Sequence, residues 1–197
     1  RPTSGPATRP LSTLHGNVRV HHDFASPQFG STRTLLVWLP PGYDQTPDAR
    51  FPVLYLHDGQ NVFDAATSSS GVEWQADETA TRLIAAHRLR PLILVGVYSN
   101  ADRINEYTPF RDERHGGGKG DAYLDFLVDT VRPFIDSTYR TRTEPADTAI
   151  AGSSLGGLIS LYAALRRPDV FGAAGVLSPT LFWADRAMLR YAGEHPL

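Results

Sequence analysis

Strands alternating with helices predict an α/β fold: a mostly parallel sheet with helices on both faces. Three observations carry the prediction. Residues 92–97 are an uninterrupted apolar run, as expected of a strand covered on both sides. Residues 148–151 form a second such run, which ends in Gly152-Ser153-Ser154-Leu155-Gly156 and passes at once into a helical pattern at Leu158, Ile159, Leu161, Tyr162 and Leu165. A third short run, 53–56, ends in the loop His57-Asp58-Gly59-Gln60-Asn61.

The remaining elements follow in chain order. Residues 18–24 alternate and read as a first strand, and 34–39 as a second, closed by Pro40-Pro41-Gly42. These two are expected to form an antiparallel edge pair. Residues 74–89 carry apolar positions at helical spacing. Residues 116–120, Gly-Gly-Gly-Lys-Gly, read as a flexible lead into a helix over 122–135, with Pro133 kinking it near its end. Residues 171–177 are a further strand, and 181–191 begin one more helix.

With 197 residues, the chain has room for one domain with a substantial core. A net charge of −2 gives no reason to expect nucleic acid or an anionic membrane as partner. No apolar run approaches the roughly 20 residues of a membrane span. The lack of cysteine excludes thiol catalysis, disulfides and cysteine metal sites. The chain opens at Arg1 on a stretch rich in Pro, Thr and Ser. A mature terminus left by signal-peptide removal has this composition, and so does a trimmed chain. The expected organisation is a flexible arm over 1–16 and one domain over 17–197. The expected location is periplasmic or secreted, with the cytoplasm left open.

The chemistry concentrates at Ser154. In a G-x-S-x-G turn between strand and helix, the nucleophile's backbone is strained and small neighbours are needed for steric reasons. Gly152 and Gly156 stand two residues before and after Ser154. Ser153 competes, but its own outer neighbour would be Leu155, which breaks the pattern. The turn lifts the Ser154 hydroxyl above the sheet edge, at the positive end of the following helix. Acyl transfer develops a negative oxygen, which needs two preorganised N–H donors. One should follow the nucleophile, at Leu155, and the other should come from the loop after the third strand.

Together the motifs resemble the "Putative esterase" family of the α/β-hydrolase superfamily, which holds enterochelin, feruloyl and acetyl-xylan esterases, S-formylglutathione hydrolases and mycolyl transferases. The matching segments are Leu-Pro-Pro-Gly-Tyr at 39–43, Leu-Tyr-Leu-His-Asp-Gly-Gln-Asn-Val-Phe-Asp at 54–64, Asn-Glu-Tyr-Thr-Pro at 105–109, Ile-Ala-Gly-Ser-Ser-Leu-Gly-Gly at 150–157 and Pro-Asp-Val-Phe-Gly at 168–172. The resemblance implies an α/β-hydrolase three-layer sandwich, Ser154 as nucleophile, and an oxyanion hole formed by the backbone N–H groups of Gln60 and Leu155. Those two groups are expected to point into one space beside the Ser154 hydroxyl. It also implies a chain order of Ser, then Asp or Glu, then His. After Ser154 this sequence offers only Asp169, Asp185, Glu194 and His195, on one strand and the start of a helix. The expectation is a domain without its C-terminal strands, catalytic acid and base. No His should then reach Ser154, and an apolar sheet edge should stand open to pairing with a chain that supplies the missing strands.

Other residues are assigned around this centre. Asp58 is placed at the floor of the substrate pocket, bracing the loop, with His57 orienting it. Trp74 either lines the acyl pocket or staples a helix start. Tyr107, with Arg103, Asn105 and Glu106, lies either on the substrate side of the sheet or in a surface loop of local ion pairs; Trp183 is similar. The glycine run at Lys119 lacks the Ser or Thr that a phosphate-binding loop needs. His21-His22 and Asp23 point to opposite faces of a strand, which is poor metal geometry. No metal and no organic cofactor are expected. The function expected is hydrolysis of carboxylic esters, small-molecule or carbohydrate-linked, through an acyl-enzyme on Ser154. Acyl transfer to another alcohol is a variant. The alternative is a catalytically incomplete scaffold with a binding or assembly role.

Overall fold

The computed structural model describes residues 11–195. Six strands form one sheet: β1 (Asn17–Ser26), β2 (Ser31–Leu39), β3 (Val53–His57), β4 (Ile93–Val97), β5 (Thr148–Ser153) and β6 (Ala173–Leu177). Their spatial order is β1-β2-β4-β3-β5-β6. The expected antiparallel edge pair is present, and β2 also meets β4 antiparallel. The strands β4, β3, β5 and β6 then run parallel.

Alternation along the strands divides the core into two layers. Leu35, Val37, Ile93, Val95, Tyr55 and Ile150 face one side. There they pack against α3 (Gly120–Asp125), α4 (Arg132–Thr138), α5 (Leu155–Arg166) and α6 (Trp183–Glu194). Leu36, Trp38, Leu94 and Ala151 face the other side, with Ala80 of α1 (Ala76–Ala85), Val62 and Phe63. The result is the expected three-layer α/β sandwich. A short helix, α2 (Arg103–Glu106), follows β4.

Two local expectations change. Pro133 does not simply kink one helix. The chain takes π winding over Phe126–Val131, just before α4 carries Pro133 in its first turn. Pro133 has no N–H for the carbonyl four residues back, and wider winding accommodates that loss. The arm expected over 1–16 falls partly on residues 1–10, outside the described residues, and its remainder is tied down. Ser12 Oγ donates to Asp64 at 3.0 Å, Thr13 Oγ1 to Glu73 at 3.3 Å, and the His15 N–H to Asp77 at 2.7 Å. Buried carboxylates need donors, and this strap supplies them.

Among the described residues, β6 pairs with β5 alone and forms one border of the sheet. Its Leu177 is 48% exposed. No helix among the described residues is long and apolar enough to cross a membrane.

Candidate active site

The strand-to-helix turn takes the geometry its glycines predict. Ser154 is the N-cap of α5, at φ 59° and ψ −120°. That backbone is sparsely populated for a residue with a side chain. A Cβ on Gly152 would stand 2.7 Å from the carbonyl carbon of Gly156, too close for any side chain. The turn is tied to the end of β6. The Ser154 N–H donates to Leu177 O at 3.0 Å, and Ser154 O accepts from Thr180 N at 3.2 Å.

Ser154 opens onto a cleft of about 1110 Å³, lined also by Leu155, His115, Thr180, Phe182 and Trp183. Its Oγ lies 3.2 Å from Thr180 Oγ1, a contact in which either hydroxyl can donate. As expected, no His among the described residues hydrogen-bonds Ser154. His57 is engaged beneath the loop, and His195 stacks on Tyr191 at 4.1 Å. His115 lines the cleft, with its Nδ1 2.8 Å from Asp112 Oδ1. A surface position in a glycine-rich loop hid that placement from sequence reasoning.

The other candidate donor lies on the turn Gly59–Asn61, which follows β3. Gly59 presses on β4: a Cβ there would meet the carbonyl carbon of Gly96 at 2.5 Å. On its other side the loop lies over α5, since a Cβ on Gly156 would stand 3.2 Å from His57 Cβ and 3.6 Å from Asp58 Oδ2. The Gln60 side chain is fixed to Ser99, donating to Oγ at 2.7 Å and accepting from the backbone N–H at 3.1 Å. The backbone N–H groups of Gln60 and Leu155 have no hydrogen-bond acceptor among the described residues. Both are therefore open to an oxygen supplied by a ligand.

Asp58 and Tyr107 sit below the pocket rather than in its wall, because both are buried. The Asp58 carboxylate takes a bidentate bond from Arg103, Nε at 2.6 Å and Nη2 at 2.7 Å. Its N–H donates to the Tyr107 hydroxyl at 3.1 Å. The segment 103–107 is thus not a surface loop of local ion pairs. Glu106 is fully buried, accepting from Arg33 at 3.0 and 3.2 Å and from Asn100 at 3.0 Å. Trp74 is 39% exposed and does not line the Ser154 cleft; its backbone N–H donates to Asn61 O at 2.9 Å. That favours the helix-start role over the acyl pocket. Trp183 does line the cleft. Its Nε1 donates to Phe110 O at 2.7 Å, and Gly117, at φ 92°, makes room for its ring. The glycine run is therefore a fitted turn rather than a slack one, with the Gly117 N–H held by Asn105 Oδ1 at 2.7 Å.

Sequence reasoning missed Tyr123, whose hydroxyl lies 3.0 Å from His57 Nδ1, because it reads as one more core position of a helix. It also missed Thr180 and Phe182, which become neighbours of Ser154 only through the β5–β6 pairing. The Arg103–Tyr107 spacing of one helical turn was a usable signal that both serve one neighbour.

A mixed sheet with helices on both faces and a strained serine at a strand-to-helix turn is an α/β fold of the α/β-hydrolase type. The sequence model of the family described as "Putative esterase" matches residues 26–194, and the chain belongs to that family. It is 31% identical over 161 residues to "Uncharacterized protein YbbA" of Bacillus subtilis, covering 79% of this chain and 59% of that protein. It is also 31% identical over 167 residues to "Endo-1,4-beta-xylanase/feruloyl esterase" of Xylanibacter ruminicola, covering 83% of this chain and 22% of that protein. Among solved structures, the BES protein from Bacillus cereus superposes with a TM-score of 0.73 at 18% identity, over 97% of this chain and 71% of that one. The chain thus spans less than two thirds of both curated relatives, 59% of one and 22% of the other.

Proposed function

We propose that this chain carries the nucleophile and the anion-binding half of a serine carboxylic-ester hydrolase. The observation that carries the reading is Ser154 at φ 59° and ψ −120°, at the N-terminus of α5 on the floor of an open cleft. Ser154 Oγ attacks the ester carbonyl. The oxygen that becomes negative is held by the N–H groups of Leu155 and Gln60, with the α5 dipole behind the first. The alcohol leaves, and water hydrolyses the acyl-enzyme. Such a serine needs a general base, and this reading leaves the base outside the contacts that Ser154 makes among the described residues. The feruloyl esterase relative and the aromatic cleft wall of Phe182 and Trp183 support an ester with an aromatic acyl group, small or carbohydrate-linked.

The test is hydrolysis of acetyl, feruloyl and longer-chain esters by the full-length protein, alongside labelling by a fluorophosphonate. Ser154→Ala should abolish labelling and lower kcat on the order of 10⁴- to 10⁶-fold. An unlabelled Ser154 would instead favour the scaffold role.

A further inference from the structure

We propose that His57, Tyr107 and Tyr123, together with the Arg103–Asp58 ion pair, are positioning residues that hold the Gln60 N–H in place for the developing oxyanion. The proposal rests on the reading of Ser154 as an esterase nucleophile and goes beyond it by assigning work to residues that touch no substrate.

The loop between β3 and Gln60 turns on Asp58, which sits at φ 53° and ψ 47°. Left-handed backbone at a non-glycine residue persists where surrounding contacts over-determine it. Here they do so from three directions. Arg103 grips the carboxylate with two charge-assisted bonds, a fork geometry that fixes orientation as well as distance. The Tyr107 hydroxyl takes the Asp58 N–H. The His57 ring, 1% exposed, is wedged between two tyrosine rings, its centroid 5.1 Å from that of Tyr107 and 5.6 Å from that of Tyr123.

The two hydroxyls add polar contacts to this packing. Tyr107 and Tyr123 are fully buried, their ring centroids 5.0 Å apart, and the Tyr123 hydroxyl is 3.0 Å from His57 Nδ1. The Asp58 N–H donates to the Tyr107 hydroxyl, and the Tyr123 hydroxyl donates to Nδ1 of a neutral imidazole. The single ring proton then sits on Nε2, a buried atom with no partner among the described residues. Burial agrees with this, since it pushes the His57 imidazole down to about 4. Behind these contacts, the buried Arg33–Glu106 pair and the Arg33 guanidinium, 4.5 Å from the centroid of the Phe126 ring, close the site.

The brace ends at both donors. Asp58 is two residues from Gln60. His57 and Asp58 also rest on Gly156, next to Leu155. A shift in the tyrosine pair is therefore delivered to the space between the two N–H groups. A misplacement of about 1 Å in such a site can cost on the order of 10²-fold in rate.

The experiment compares the full-length enzyme with Tyr107→Phe and Tyr123→Phe, on an activated ester. Active sites are counted by burst titration, and unfolding is followed in urea. Both variants keep the ring and lose only the hydroxyl. Tyr107→Phe strips the acceptor from the Asp58 N–H and should lower kcat per titrated site about 10- to 100-fold, with KM within about twofold. Tyr123→Phe should give a smaller loss in the same direction, and it decides the matter if Tyr107→Phe does not fold. A merely structural role would lower the number of titrated sites and the unfolding midpoint without changing kcat per site. That result, or kcat per site near wild type in both variants while Ser154→Ala is dead, overturns the brace and leaves the esterase reading standing. Normal turnover by Ser154→Ala would remove the esterase reading, and the brace with it.

Discussion

Two walls flank the Ser154 turn, the loop after β3 and the start of α6; both hold left-handed backbone, and they hold it differently. On the β3 side, Asp58 is fixed by Arg103, by Tyr107 and by packing over Gly156. On the β6 side, three successive residues, Ala184, Asp185 and Arg186, have φ of 47°, 51° and 59°. They lie beside Phe182, which is 76% exposed, and their hydrogen bonds to side chains come from Arg190, which donates to the carbonyls of Ala184 and Asp185. Each such residue costs about 1–2 kcal/mol relative to ordinary backbone. The β3 wall has the contacts to offset that cost rigidly. The β6 wall has one exposed arginine.

The largest test of this contrast is steric. Gly59→Ala would place a Cβ 2.5 Å from the Gly96 carbonyl carbon and 2.7 Å from the Val97 nitrogen, so strand backbone must shift to admit it. It should destabilise the fold by about 3 kcal/mol or more, read as a lower urea midpoint. Gly193→Ala, in α6 beyond the other wall, meets nothing within 4 Å and should gain up to about 1 kcal/mol of helix propensity. Comparable losses at both sites would erase the distinction.

Relief of backbone strain should give opposite signs at the two walls. Ala184→Gly removes a Cβ from left-handed backbone and should stabilise by about 1 kcal/mol. Asp58→Gly removes the same kind of strain but strands the partly buried Arg103 guanidinium. It should destabilise by about 1–3 kcal/mol. A rise in stability for both would mean that the brace contributes nothing.

The titration of stability gives a third test. His57 is held near 4, below its usual 6.5, so the unfolded chain takes up a proton between those values that the native wall refuses. Stability from this group falls as pH drops through that window. Asp77, under the strap of residues 12–15, is pushed up to about 7 from 3.8, first by burial and then by Glu78. The native state holds its proton where the unfolded chain releases it, so stability from this group falls as pH rises from about 4 to 7. Each slope is at most about 1.4 kcal/mol per pH unit. The two oppose each other in the wild type. Asp77→Asn should therefore uncover a loss of stability on acidification, and His57→Gln a loss as pH rises, in urea titrations from pH 4 to 7.

The smallest effect concerns local opening. Arg190→Ala should leave global stability within about 0.5 kcal/mol, as for an exposed ion pair. It should speed amide exchange at residues 184–187 while exchange at 58–61 stays as it was. Equal acceleration in both segments would show that the walls are coupled.

Much of this was legible in the sequence, wherever the signal was local. The Gly152–Gly156 spacing predicted a strained Ser154, because a tight turn leaves no room for a Cβ and that requirement is met within five residues. The apolar run at 92–97 predicted a strand covered on both faces, and all five residues of β4 are buried. The run at 171–177 looks much the same in the sequence, yet β6 has only one neighbouring strand among the described residues and is half-exposed. Burial is a property of neighbours, which a run of residues does not contain.

The sequence by itself determined the α/β class, the strained turn at Ser154 and the family, since each rests on short-range sterics or on motif order. The tertiary structure alone decided what Tyr107, Tyr123, Glu106 and Arg33 do. A buried polar group must find its partner, and the partners here lie far apart in the chain: Arg33 meets Glu106, Tyr123 meets His57, and Arg103 meets Asp58. No window of sequence holds both ends of such a bond, so these contacts around the β3 loop become visible only once β2, β3, β4 and the helices after them are folded against one another.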